Sequence, residues 1–189
     1  NPYPSPIDLF ELWDVGANPA VFYRYDGNQY NSFIAPIGLS NPPGLTKYVP
    51  SMQGMWVNAG SHSSVDFDNS MRITDPNQAV DDFTKSTFPL FYLGLNDNNT
   101  TISTLVYFHD DATNGYDNIY DALYLDGMGI SQFATISGAD ELNANALPPL
   151  TTSTVTIPLH TEITEVGDYS ISLIESSDLP DDCKLILQD

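Results

Sequence analysis

The chain is 189 residues long and carries 5 basic against 25 acidic side chains, a formal net charge of −20. A surface this negative is repelled by phosphate backbones and anionic lipid, which argues against nucleic-acid and membrane-surface roles. The 2 Trp, 11 Tyr and 9 Phe argue against disorder, and one cysteine, Cys183, excludes an internal disulfide framework and a cysteine-rich zinc site.

The acidic residues divide into 20 Asp and 5 Glu, beside 15 Asn, 14 Pro and 12 Gly. Asp, Asn, Gly and Pro favour turns, so the negative charge is expected in loops between strands, not on long helices. The longest apolar run, 88–95, contains Pro89 and Gly94 and is far short of the roughly 20 residues of a membrane span.

In chain order, residues 7–14 behind Ser5-Pro6 suit a short helical turn. The alternating run 21–25 (Val-Phe-Tyr-Arg-Tyr) meets Asp26-Gly27-Asn28 and then 29–34, the strongest hairpin signal in the sequence. A strand is expected over 53–58, where Trp56 between Met55 and Val57 reads as core. Over 64–68, Val65 and Phe67 fall on one face and Asp66 and Asp68 on the other. A second short helix is expected over 77–83. Further strands are expected at 90–95, 102–108, 122–125, 133–136, 154–159, 169–174 and 185–187, with Asn96-Asp97-Asn98-Asn99 as a turn. Ten or more short strands at this spacing predict an all-β, antiparallel, jelly-roll-like β-sandwich with few or no long helices. A single domain over 1–189 is expected, with Pro148-Pro149 marking a subdomain seam near 149.

Particular words add to this pattern. Asn1-Pro2-Tyr3-Pro4-Ser5 with Ile7-Asp8, then Tyr48-Val49-Pro50-Ser51-Met52-Gln53-Gly54-Met55-Trp56-Val57, occur in order. Ala112-Thr113-Asn114-Gly115-Tyr116-Asp117, Tyr120-Asp121-Ala122, Ile157-Pro158-Leu159 and Gly167-Asp168-Tyr169-Ser170-Ile171 follow, before the closing Leu185-Ile186-Leu187-Gln188-Asp189. This series resembles a β-rich region near the C-terminal sorting domain of large secreted cargo proteins of the type IX secretion system. The resemblance implies a secreted accessory module of the outer cell surface, without catalysis of its own, that meets the secretion machinery through a C-terminal region outside this chain. Members of that family have further strands before the first word and after the last. The chain, which starts without Met, therefore reads as a processed or excised piece with an open sheet edge.

The densest polar cluster is the run 109–121. Asp110, Asp111, Asn114, Asp117 and Asp121 have the oxygen ligands calcium prefers, and Gly115 allows a tight turn. The EF-hand spacing is absent, and an acidic turn capping its own backbone N–H groups is the competing reading. Trp13, Tyr23, Tyr25 and Tyr30 are candidates for stacking on sugar rings, against the competing reading of ordinary core packing. Asp66 and Asp68 would share a strand face as a carboxylate pair of the kind a glycosidase needs, and a solvated acidic face explains them equally well. His62, His109 and His160 lack metal-ligand spacing, and no nucleophile elbow, phosphate loop or dinucleotide fingerprint is present.

The leading expectation is thus a non-catalytic structural or adhesive module, its Asp110 to Asp121 loop held by hydrogen bonds or by calcium, with a surface glycan or protein as partner. A carbohydrate-binding module is the alternative, and a glycoside-active domain the third reading.

Overall fold

Alternation of large apolar and polar side chains builds two sheets that share one buried layer. The computed structural model describes residues 1–14, 19–58, 64–74, 87–97, 99–127, 130–151 and 153–188. Strand β1 (Ile7–Asp8) leads into helix α1 (Leu9–Asp14). The smaller sheet contains β2 (Val21–Tyr25), β3 (Tyr30–Ile34), β4 (Leu39–Asn41) and β6 (Trp56–Val57), in the order β4-β3-β2-β6. Strand β5 (Tyr48–Val49) pairs separately with β1.

The larger sheet has seven strands: β7 (Leu90–Asn96), β8 (Thr101–Phe108), β9 (Ala122–Leu123), β10 (Gln132–Ser137), β11 (Asp140–Leu147), β12 (Leu159–Glu162) and β13 (Ser170–Ser177). Its order is β12-β10-β11-β8-β7-β13, with β9 attached to β11. Pairing is antiparallel except between β8 and β11, which run parallel with Leu105 opposite Ala144. The all-β architecture, without a long helix among the described residues, agrees with the sequence reading.

Between the sheets, Val21, Tyr23, Ile34 and Leu39 pack against Leu90, Tyr92, Leu105, Tyr107, Ala144 and Ala146. The far face of the smaller sheet presents Phe22 and Phe33, which α1 covers with Leu9 and Leu12 beside Val49 and Met71. Burying each such side chain contributes about 1.5–3 kcal/mol. The start of α1 is fixed by Asp8, whose Oδ1 accepts the Phe10 N–H at 2.9 Å.

A polar seam sets the relative position of the sheets. Ser32 Oγ donates to Asn143 Oδ1, and Asn41 Nδ2 donates to the carbonyls of Ser103 (2.7 Å) and Asn143 (3.0 Å). Sliding one sheet over the other would strip these buried groups of their partners, which is costly in a low-dielectric layer.

Several elements depart from expectation. Residues 64–68 form no strand: Asp68 Oδ1 instead accepts the Ser70 N–H and caps a 3-10 turn at Asn69–Met71, while Phe67 meets the Tyr3 ring edge-on. The strand expected over 154–159 begins only at Leu159, and residues 185–187 are exposed and irregular. Strand β11 was not expected at all. The helix expected at 77–83 lies outside the described residues. Strand β13 ends the sheet order, so its outer edge pairs with no strand among the described residues.

Candidate functional site

The run 109–121 follows β8 and folds back onto the end of β11. Asp121 is 1% exposed, and its two carboxylate oxygens accept separate backbone N–H groups, from Ala146 and from Asp117, each at 2.6 Å. Burial pushes its carboxyl up to about 7, against the pull of these two bonds. Asp117 Oδ1 accepts the Ile119 N–H, so it serves its own turn. Asp110, Asp111 and Asn114 are exposed. Of the five residues proposed as calcium ligands, Asp117 and Asp121 are thus engaged with backbone N–H groups and the other three face solvent. No three His, Cys, Asp or Glu side chains among the described residues gather closely enough to share a metal ion.

The candidate aromatic residues separate sharply. Tyr23 is 1% exposed and belongs to the inter-sheet core, because its face of β2 lies directly under the larger sheet. Trp13, on α1, packs against both the inter-sheet core and the layer beneath the helix. Neither is a platform. Tyr25, two residues beyond Tyr23 on the same face, has run out from under the larger sheet and is 47% exposed. Tyr30 is its cross-strand partner, with ring centroids 5.1 Å apart and planes at 46°.

Trp56 completes the group. It pairs with Tyr23 on the edge strand β6, yet its side chain is 62% exposed. Its ring stands nearly perpendicular to Tyr30, at 88° and 6.3 Å. Its assignment to the core is thus corrected: β6 is two residues long and forms the edge of the smaller sheet, where the Trp56 side chain stays open to solvent. Tyr25, Tyr30 and Trp56 form a continuous aromatic shelf, braced by the Tyr25 hydroxyl donating to the Gly27 carbonyl at 2.9 Å. Segment 124–127 borders it, since a methyl group at Gly127 would lie 3.7 Å from Tyr25 Cε2. The neighbouring Asp126 is exposed and accepts a hydrogen bond from Gln132 Nε2.

The remaining candidates lie apart from the shelf. Asp66 and Asp68 are exposed in irregular backbone, so they form no strand-face pair. His109 is stacked between Phe88 and Tyr120, at 4.9 and 4.6 Å, and its Nδ1 accepts the Asp111 N–H. His160 Nδ1 lies 3.6 Å from Glu141 Oε1. His62 is outside the described residues.

No curated protein and no solved structure matches this chain. A family model described as a domain of unknown function, DUF8693, matches residues 1–189, and the chain belongs to that family.

Proposed function

We propose that this chain is a non-catalytic, extracellular β-sandwich module that binds a neutral glycan through the shelf of Tyr25, Tyr30 and Trp56. The observation that carries the reading is one of geometry: two rings, 47% and 62% exposed, are held in fixed orientation against a third. A contiguous exposed aromatic patch on a highly charged molecule marks an interaction site. The apolar C–H face of a pyranose fits such a surface, and the adjacent Asp126 and Gln132 offer polar atoms to its hydroxyl groups. The net charge of −20 disfavours anionic polymers, so the ligand is a neutral one.

The resemblance to type IX secretion cargo supports the extracellular setting, where salt screens the self-repulsion of so acidic a chain. Glycan capture would then be the module's adhesive role on its parent protein.

Retention on insoluble cellulose, chitin, xylan and mannan tests this directly. The chain should be held by at least one of them, and Trp56→Ala should weaken retention by about tenfold or more, the equivalent of about 1.4 kcal/mol of lost ring contact. Equal retention of wild type and Trp56→Ala, or retention on none, would overturn the shelf.

A further inference from the structure

The β2–β3 turn that supplies Tyr25 and Tyr30 to the shelf also supplies Asp26 and Gln29 to a separate cleft. This cleft, of about 600 Å³, opens between that turn, the inner face of the larger sheet at Ser103 and Ser172, and the apolar side chains of Pro42 and Ile174. It forms where the larger sheet extends beyond the smaller one: β4 is three residues long and ends at Asn41, while β7 runs on past the buried Tyr92 to Asn96, which lines the cleft with Ser172 of β13.

Its polar groups are set for a ligand. Ser103 is 1% exposed, and its Oγ has no hydrogen-bond partner among the described residues. The backbone of Ser103 is pinned on both sides, its carbonyl accepting from Asn41 Nδ2 and its N–H donating to Gln29 Oε1 at 3.3 Å. That bond fixes the Gln29 amide at the cleft wall, and its Nε2 donates to no group among the described residues. Ser172 Oγ accepts from Asn96 Nδ2 at 2.9 Å, which leaves its own hydrogen to donate.

The lining also says what the ligand is not. Asp26 opposes partial burial with hydrogen bonds from the N–H groups of Gln29 and Asn28 and from Asn31 Nδ2, which hold its carboxyl below the ordinary range. An ionised carboxylate repels an anion. A hard cation needs several carboxylate or carbonyl oxygens, and Asp26 is the one acid in the lining, already accepting three bonds.

A lining that combines these donors and acceptors with the apolar side chains of Pro42 and Ile174 suits a ring that has hydroxyl edges and an apolar face. We infer that this cleft is a second binding site, independent of the aromatic shelf, for a neutral pyranose unit, with Ser103, Gln29, Ser172 and Asp26 taking its hydroxyl groups.

Titration of the whole chain with glucose, galactose, mannose, xylose and N-acetylglucosamine, followed by amide NMR, tests it. At least one sugar should move the amide resonances of Gln29, Ser103 and Ser172 together. Ser103→Ala should weaken that binding by about fivefold or more without lowering Tm, because it removes a hydroxyl with no partner among the described residues. Ser172→Tyr, at an exposed position, should fill the cleft and abolish binding, whereas Trp56→Ala should leave the three resonances responding as before.

Absence of any response at those amides, or unchanged binding by both serine variants, would overturn the cleft. A response confined to the Trp56 indole would overturn it too, while leaving the shelf standing. Response at the cleft, with polysaccharide retention indifferent to Trp56→Ala, would uphold the cleft and remove the shelf.

Discussion

Asp121 Oδ1 and the N–H of Ala146 meet at 2.6 Å across 25 residues, and this bond ties the loop after β8 to the parallel strand β11. A carboxyl group performs this bracing inside the protein, with only 1% of Asp121 exposed. Its consequence is a stability that depends on pH in an unusual direction.

Because burial raises the Asp121 pKa from 3.8 to about 7, the folded state holds a proton that the unfolded state has released across that window. Stability from this group is complete below the lower value and is lost as pH rises through the upper one. The carboxylates of Asp26 and Asp97 are lowered instead, Asp26 by hydrogen bonds that outweigh partial burial and Asp97 by the N–H groups of Asn99 and Thr100. Their contribution disappears only at more acid pH. Thermal melts should therefore peak near pH 4, and Tm should fall from there to pH 8 by roughly 5–10 °C. Asp121→Asn should flatten this slope and cost about 1–3 kcal/mol at pH 5, since an amide nitrogen then faces a backbone donor. A Tm that rises from pH 5 to pH 8 would contradict the assignment.

Lys47 and Asp8 form a second charged contact, with Nζ 2.7 Å from Oδ2 and side chains 20% and 13% exposed. The ammonium also lies over the rings of Phe10 and Tyr48, at 4.9 and 5.1 Å from their centroids. This pair is more enclosed than a surface ion pair and less so than a buried one, so Lys47→Met should cost about 1–3 kcal/mol in urea unfolding. Asp8→Ala should cost more, because it also removes the cap on the Phe10 N–H. The reverse ranking would mean that the ion pair, and not the cap, governs the start of α1.

Gly94 lies in β7 opposite Ser172 of the neighbouring strand β13. A methyl group built there would sit 2.9 Å from both Ile174 Cδ1 and Thr101 Cγ2. Ile174 is 41% exposed and can rotate outward, but Thr101 is tied through Oγ1 to Asn96 Oδ1. Gly94→Ala should thus cost about 1 kcal/mol and Gly94→Val about 2–3 kcal/mol, both through overpacking against Thr101. Faster amide exchange in β13 of the valine variant, with β11 unchanged, would locate the strain.

The hairpin of β2 and β3 was legible because aromatic alternation and Asp-Gly report the same local geometry. Strand β11 was not, because Glu-Leu-Asn-Ala-Asn-Ala-Leu has the composition of a turn. Asn143 and Asn145 become strand residues only through tertiary context: Asn143 accepts from Ser32 across the sheets, and Asn145 lies in the parallel pairing with β8. The residues of the cleft come from widely separated segments (26–29, 42, 103 and 172–174), so no local spacing announces it. Exposure was the weakest inference of all, since Tyr23 and Tyr25 share a strand face and differ only in what lies above them.

That difference yields the sharpest contrast between two variants. Tyr23 is at the centre of the inter-sheet layer, and Trp56, its cross-strand partner, is at the rim. Tyr23→Ala removes a ring that is 1% exposed and should cost about 3–5 kcal/mol, the penalty for an aromatic cavity that its neighbours cannot fill. Trp56→Ala removes a ring that solvent already reaches and should cost less than ~1 kcal/mol. Glycan retention should follow the opposite order once folded protein is compared, with Trp56→Ala defective and Tyr23→Phe intact. Urea unfolding and polysaccharide retention on the same preparations separate the two roles. A Trp56→Ala variant that unfolds as readily as Tyr23→Ala would return Trp56 to the core and leave the shelf without its largest ring.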